Sequence, residues 1–407
     1  MPGDDDAPLI KGNAAIGQSG GPTAVINQSL YGAVAALREF EHVKKIYGMR
    51  HGVNGLVRGE LVDLGKEKEK HLKAVARTPA AALGSSRDKP DEDYCRRILE
   101  ACEKANIRYF FYIGGNDSSD TCRIVSELAQ RDGYDMRCFH IPKTVDNDLM
   151  ESDHTPGYPS AARFQAFAFM ADSMDNASLP GVKINVVMGR NAGFLTAASA
   201  LARGRGKGSE RNGPHLIYLP EVPFEKDRFL AEVEAVYARL GRCQVAVSEG
   251  IVDTGGRAIA TTLAQKLDQD AHGNVQLSGV SALGDALADL VKDNLRTGGK
   301  LRVRADTFGY LQRCWPDPSP IDSREARKAA EFAVKLAAKG QRSGSVAIER
   351  ISSEPYKSRF RQIELSAVAA KTRRMPPEFI EGGSNVSRKF LDYARPLVGE
   401  LPEMMRL

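Results

Sequence analysis

The chain has 407 residues, with 57 Lys+Arg against 52 Asp+Glu and a formal net charge of +5. That length predicts two or three domains, and 27% charged with 42% hydrophobic residues excludes global disorder, a collagen-like repeat and a disulfide-stapled miniprotein. The small positive excess permits an anionic ligand but is not the concentrated basic face of a nucleic-acid binder. Short apolar runs alternate with longer amphipathic stretches, the pattern of parallel sheets covered by helices. In chain order the expected strands are Ala14–Gln18, Lys45–Met49, Tyr109–Ile113, Arg137–Ile141, Lys183–Met188, His215–Leu219, Gln244–Ser248 and Ser345–Ile348. The expected helices are Val25–Glu39, Tyr94–Ala105, Ser118–Gln130, Ser160–Met174, Gly193–Arg203, Asp227–Leu240, Ser281–Asp293 and Glu325–Lys339.

The six cysteines form no C-x-x-C pair, which predicts free thiols in a reducing compartment. The acidic start, Met1 to Pro8, has no signal-peptide pattern, and no apolar run spans a bilayer. A soluble cytoplasmic protein without membrane partners is the expectation. The glycine-rich stretch Arg203–Gly213 reads as a surface loop, and the polar, proline-bearing residues 361–407 as a tail packed on the domains.

Three glycine turns each follow an expected strand and precede an expected helix. They are Gly17-Gln18-Ser19-Gly20-Gly21-Pro22-Thr23, Gly114-Gly115-Asn116-Asp117-Ser118 and Met188-Gly189-Arg190-Asn191-Ala192-Gly193. Glycine permits sharp turns and close approach of a ligand. The helix that follows offers free N–H groups and the positive end of its dipole, a setting for phosphate. One such turn is weak evidence; three in one α/β chain point to a shared crevice at the strand ends.

Pro142-Lys143-Thr144-Val145-Asp146-Asn147-Asp148 follows another expected strand. An Asx-type turn capping the next helix would account for it. So would a general base with a second carboxylate orienting it or a metal, and a lysine offsetting an anion. Spacing alone leaves both readings open.

The order of these motifs resembles that of the phosphofructokinases. Leu83-Gly84-Ser85-Ser86-Arg87 resembles that family's L-G-S-x-R loop, and Val247-Ser248-Glu249-Gly250 its sugar-holding strand end. Arg304 with Phe308-Gly309-Tyr310-Leu311-Gln312-Arg313 resembles the segment that grips a 6-phosphate. The resemblance runs roughly from Ala14 to Ile348. Met188-Gly189-Arg190 and Tyr310 to Arg313 argue against a lipid or NAD kinase, which share only the glycine turn.

The resemblance implies an α/β fold of two doubly wound, Rossmann-like, three-layer domains with the active site in the cleft between them. Residues 1–155 with about 315–360 would bind the phosphoryl donor, and 156–314 the sugar phosphate. ATP-dependent members carry G-G-D-G and P-G-T-I-D-N-D, whereas this chain has Asp117 and Lys143 at the discriminating positions. Asp117 would fill the volume of a nucleotide's α-phosphate and ribose, and Lys143 would meet a small, highly charged donor. The reading is thus pyrophosphate-dependent, with an ATP-dependent 6-phosphofructokinase or a non-catalytic regulatory subunit as alternatives.

The implied reaction moves phosphate from pyrophosphate to O1 of fructose 6-phosphate, reversibly, in glycolysis or gluconeogenesis. Asp146 would be the base, steadied by Asp148, with Lys143 and Arg190 offsetting charge on the transferred group. Gly20, Gly21, Arg87, Gly115, Asp117 and Lys143 would bind pyrophosphate. Thr144, Val145, Asp146, Met188, Gly189, Arg190, Glu249, Arg304, Tyr310 and Arg313 would bind the sugar phosphate. Mg²⁺ is the expected cofactor, at Asn116 and Asp117, although Asn116 stands where the family has an aspartate. The family's 6-phosphate arginine given to a neighbouring subunit aligns with Gly181, leaving Lys183 as the nearest cation. A homodimer or homotetramer is implied. His154, Pro156 and Gly157 read as a turn or hinge.

Overall fold

The computed structural model describes residues 8–205, 209–264, 279–296 and 301–405. In chain order its main strands are β1 (Gly12–Gln18), β2 (Val43–Met49), β3 (Leu61–Asp63), β4 (Ile107–Gly114), β5 (Arg137–Pro142), β6 (Val182–Val187), β7 (Leu216–Tyr218), β8 (Cys243–Ser248), β9 (Val303–Thr307), β10 (Ser343–Ser353) and β11 (Tyr356–Ile363). The chain divides into two compact α/β units, Met1–Ser160 with Arg313–Arg373 and Ala161–Gln312 with Arg374–Leu407.

The first unit holds a seven-stranded sheet in the order β11-β10-β5-β4-β1-β2-β3. Its inner pairs are parallel, and only the edge strands β3 and β11 run antiparallel. The period-two alternation of a strand sends successive residues to opposite faces. Ala14, Ile16, Tyr109, Phe111, Ile113, Phe139 and Ile141 enter one apolar core, and Ala15, Phe110, Tyr112 and Cys138 the other. The first core is closed by helices Ile26–Arg38 and Pro320–Ala338, the second by Glu92–Lys104 and Asn116–Arg131. Both faces being covered explains why β4 reads as an apolar run from Tyr109 to Ile113 and why every residue of β5 is buried, Arg137 and His140 included. Ser319 and Asp91 cap two of these helices through the Asp322 and Tyr94 N–H groups, as short polar side chains do at helix starts.

The second unit has a wholly parallel sheet in the order β7-β8-β6-β9. Val182, Ile184 and Val186 face a core shared with Phe229 and Val233 of helix Lys226–Leu240 and with Leu283, Leu287 and Val291 of helix Gly279–Asn294. The opposite face carries Lys183, whose Nζ meets Asp172 at 2.5 Å and also Asp175, both on helix Tyr158–Ser178.

The eight expected strands and eight expected helices are present with shifted ends, and several further elements appear. β3, β9 and β11 lie at sheet edges, where one flank faces solvent and the apolar run that marks an inner strand is missing. The stretch expected as one helix, Gly193–Arg203, is α-helical over Phe194–Ala198 and then tightens to a 3₁₀ turn over Ser199–Arg203. The stretch expected as a tail, 361–407, is shared: its residues through Arg373 go with the first unit and the rest with the second. There helix Arg388–Val398 buries Phe390, Ala394 and Leu397. The six cysteines are free, and no described helix is long and apolar enough to cross a membrane.

Candidate active site

The site of the first unit forms where β1, β4 and β5 end in register, with Gln18 beside Ile113 and Gly114 beside Pro142. The Ser19 amide donates to Ile113 O at 2.9 Å and the Lys143 amide to Gly114 O at 2.9 Å. Ser19 and Ser118 share a hydroxyl–hydroxyl hydrogen bond across the first two turns. Gly20 has φ +72°, left-handed backbone that suits glycine. Its amide donates to Ser86 O at 2.8 Å, and Ser85 Oγ donates to its carbonyl at 2.6 Å. The loop ending in Arg87 is thereby stitched to the first turn.

Lys143 is 3% exposed, and its Nζ donates to Gly21 O at 2.8 Å. A Cβ at Gly20 would sit 3.0 Å from that Nζ, and one at Gly21 only 2.8 Å from Arg313 Cζ. The two glycines therefore let the backbone lie directly against two cations. Burial, reinforced by Arg313 and Arg87, lowers the Lys143 pKa to about 7, against the pull of Asp146 and Asp148. An anion bound at this turn would favour the charged form.

Thr144 Oγ1 accepts from the Asp146 amide at 3.1 Å, and Val145 is buried beneath the turn. Asn147 takes φ +59°, and its Oδ1 accepts from the Thr155 amide at 3.0 Å. Asp148 is 6% exposed, and its Oδ1 is buried without a hydrogen-bond partner. Burial and the neighbouring Asp146 raise its pKa to about 7, while its own backbone N–H and Arg373 oppose the rise.

The expected metal pair, Asn116 and Asp117, opens helix Asn116–Arg131. Asn116 Nδ2 donates to Lys371 O at 2.8 Å and Thr372 Oγ1 at 3.1 Å, which leaves Oδ1 as the side chain's acceptor atom. Asp117 is exposed and pairs with Lys89 at 3.1 Å. The orphan Asp148 Oδ1 also fits a hard cation that takes its remaining ligands from phosphate and water. Such an ion needs no cluster of three or more acidic, His or Cys side chains, and none occurs among the described residues.

The stretch expected as a turn or hinge is held by side-chain partners. His154 is fully buried, with Nδ1 2.8 Å from Asp153 and Nε2 2.7 Å from Glu325. Burial alone would depress its pKa, but the two carboxylates raise it to about 9. The Gly157 amide donates to Asp322 Oδ1 at 2.9 Å.

In the second unit, Met188, Gly189 and Arg190 follow β6, and Glu249 follows β8. The Gly189 amide approaches Glu249 Oε1 at 3.3 Å, and Ser248 Oγ donates to Gly189 O at 2.6 Å. Gln312 Oε1 accepts from the Met188 amide at 3.3 Å. A Cβ at Gly250 would collide with the Arg190 backbone, so this glycine sets how closely the two loops pack. Glu221, which sequence reasoning missed, accepts from the Gly193 and Met375 amides at 2.9 and 3.1 Å. Arg304 is exposed on β9, its Nη1 donating to Val303 O, and Tyr310 is 68% exposed.

Arg313, expected to hold the 6-phosphate with Arg304 and Tyr310, belongs to the first unit, where a Cβ at Gly21 would sit 2.8 Å from its Cζ. Lys183 is held by Asp172 and Asp175, which removes it as a spare phosphate-binding cation. Arg373 was also missed. The cationic run Lys371 to Arg374 was its one visible signal, inside a stretch whose polarity suggested only a tail.

A model of the family described as Phosphofructokinase matches residues 13–337. The chain is 53% identical over 402 residues to a pyrophosphate–fructose 6-phosphate 1-phosphotransferase of Rhodospirillum rubrum, covering 98% of this chain and 97% of that one. It is 38% identical to an enzyme of the same name from Halomonas elongata, covering 96% and 92%. Among solved structures, a pyrophosphate-dependent phosphofructokinase of Nitrosospira multiformis matches with a TM-score of 0.83 at 35% identity, covering 97% and 94%.

Proposed function

The chain belongs to the phosphofructokinase family, and on that premise we propose that it moves a phosphoryl group from pyrophosphate to O1 of fructose 6-phosphate. The products are fructose 1,6-bisphosphate and phosphate. The observation that carries the donor assignment is Lys143, buried against the Gly20–Gly21 backbone with Arg313 beside it. Two cations pressed onto a glycine turn suit a compact polyanion.

Asp146 accepts the proton from the attacking hydroxyl. Lys143, Arg87 and Arg190 offset charge on the transferred group, the dominant requirement of this chemistry. Gly20, Gly21 and Gly115 let backbone N–H groups approach the donor. Arg313, from its place at Gly21, is assigned to pyrophosphate in preference to the 6-phosphate. Thr144 and Val145 shape the acceptor side of the base loop. Met188, Gly189 and Glu249 hold the sugar, and Arg304 and Tyr310 its 6-phosphate. Asp148, with the substrate phosphates, would hold a Mg²⁺ ion, which would supply charge neutralisation for the transfer. The family resemblance extends the proposal to a cytoplasmic homodimer or homotetramer serving glycolysis or gluconeogenesis.

The test is a coupled assay of fructose 1,6-bisphosphate formation with magnesium, comparing pyrophosphate with ATP. Turnover with pyrophosphate alone is expected. Turnover with ATP alone would overturn the donor assignment, and sugar-phosphate binding without turnover would favour a regulatory subunit.

A further inference from the structure

Residues Ala370 to Arg373 lie beyond the stretch 13–337 that the family model matches. They nevertheless touch two of the donor-side turns. The Arg373 amide donates to Asp148 O at 2.7 Å. Its Nη2 donates to Asn147 O at 2.8 Å and to Asp153 O at 3.2 Å, and its Nη1 donates to Ser152 O and Asp153 O. Just upstream, Asn116 of the second turn donates to Lys371 O and Thr372 Oγ1.

The turn gathered in this way is strained. Asn147 and Glu151 take φ +59° and +64°, in the left-handed region. Such residues cost on the order of 1–3 kcal/mol each and persist only where their surroundings over-determine them. Carbonyls from three different residues converge on one guanidinium. Only a planar fork with several fixed donors meets such a set, and an ammonium cannot reproduce it.

We propose that Arg373 is a positioning residue: by gathering the Asn147, Ser152 and Asp153 carbonyls it holds the Asp146–Asp148 turn in the geometry that phosphoryl transfer requires. The proposal rests on the phosphotransferase reading above. Arg373 acts through the backbone of the turn and takes no part in the chemistry. Its contribution belongs to kcat, because misplacing a reacting group by about 1 Å can cost on the order of 10²-fold in rate.

The experiment compares the parent with Arg373→Ala and Arg373→Lys, measuring kcat, KM for both substrates, and hydrogen exchange of the amides between Thr144 and Thr155. Arg373→Ala is expected to lose about 10²-fold in kcat with both KM values nearly unchanged and faster exchange across the turn. Added guanidinium ion below denaturing concentration should restore part of kcat. Arg373→Lys should resemble Arg373→Ala more than the parent. Parental kcat in either variant, or a rise confined to KM, would overturn the proposal. If Arg373→Ala fails to fold, Arg373→Lys decides by the same criteria. A parent inactive with pyrophosphate would overturn the functional reading alone. Exchange would then decide the brace, and unchanged exchange in the variants would overturn it.

Discussion

Lys143 and His154 are buried cations of the same unit, and burial disfavours the charge on each. Their neighbours part them. His154 sits between Asp153 and Glu325, which are themselves held by Arg350 and by Tyr356 and Ser358. Lys143 reaches one backbone carbonyl and faces Arg313 and Arg87 as well as Asp146 and Asp148. The imidazole charge is compensated by two hydrogen-bonded carboxylates, whereas burial and the two arginines outweigh Asp146 and Asp148 at the ammonium, whose charge gains from an anionic ligand. The first arrangement holds a loop in place, and the second is a binding device.

The largest expected effect falls on the carboxylate facing Lys143. Asp146→Asn should lower kcat by about 10²–10⁴-fold while leaving fructose 6-phosphate affinity nearly intact, read by steady-state kinetics and ligand titration. Substantial residual turnover would remove Asp146 as the base. Next comes the contrast itself. His154→Gln leaves the buried Glu325 without its cation, while half-buried Asp153 keeps Arg350, and should cost about 3–5 kcal/mol in denaturant unfolding. Lys143→Met should leave stability unchanged or raised while lowering kcat/KM for pyrophosphate by roughly 10²–10³-fold. If Lys143→Met destabilised as much as His154→Gln, the two cations would not differ in kind.

The stability–pH profile sharpens the same comparison. His154 has a folded pKa of about 9 against an ordinary value of 6.5. Its contribution, about 3 kcal/mol, is fully present below pH 6.5 and lost as pH rises through 9. Asp153 and Glu325 face it directly, with Asp322, Arg350 and Tyr356 close behind. Lys143 runs the other way. Its folded pKa of about 7 lies below the ordinary 10.5, so its penalty is full below pH 7 and fades towards 10.5. In thermal melts across this range, His154→Gln should abolish the alkaline loss, and Lys143→Met the opposing gain.

How much of this was legible in the sequence follows from where each group sits in the chain. The inner strands and the helices that cover them were readable because burial on both faces writes continuous apolar runs. Edge strands such as Val303–Thr307, with a buried residue only at Val303 and polar neighbours, leave no such trace. The glycine turns and the Lys143–Asp148 segment were readable because each is contiguous. The contacts that give them meaning are not. Glu325 and Arg373 reach the base loop from far along the chain, and a polar stretch looks the same whether it braces a loop or faces water. Asn116 shows the limit most sharply. Its identity was plain, but its donation to Lys371 and Thr372 required the fold.

The smallest expected effect tests whether Lys143 or its expected companion carries donor selection. Asp117 begins helix Asn116–Arg131, with an exposed side chain paired to the still more exposed Lys89. Exposed pairs of this kind contribute little, and the loss from Asp117→Gly should be mainly the weaker helix propensity of glycine, about 1 kcal/mol. Because Lys143 remains pressed on Gly21 in that variant, pyrophosphate should remain the preferred donor. ATP use should emerge only when Lys143→Gly is added, which removes the buried cation and opens its volume. Donor competition assays on the single and double variants separate the two positions. If Asp117→Gly alone admits ATP, selection lies at the exposed helix start, and the buried lysine binds phosphate without choosing its source. If only the double variant does, the group whose charge burial disfavours is also the group that discriminates, because that charge is favoured beside a donor small enough to reach it.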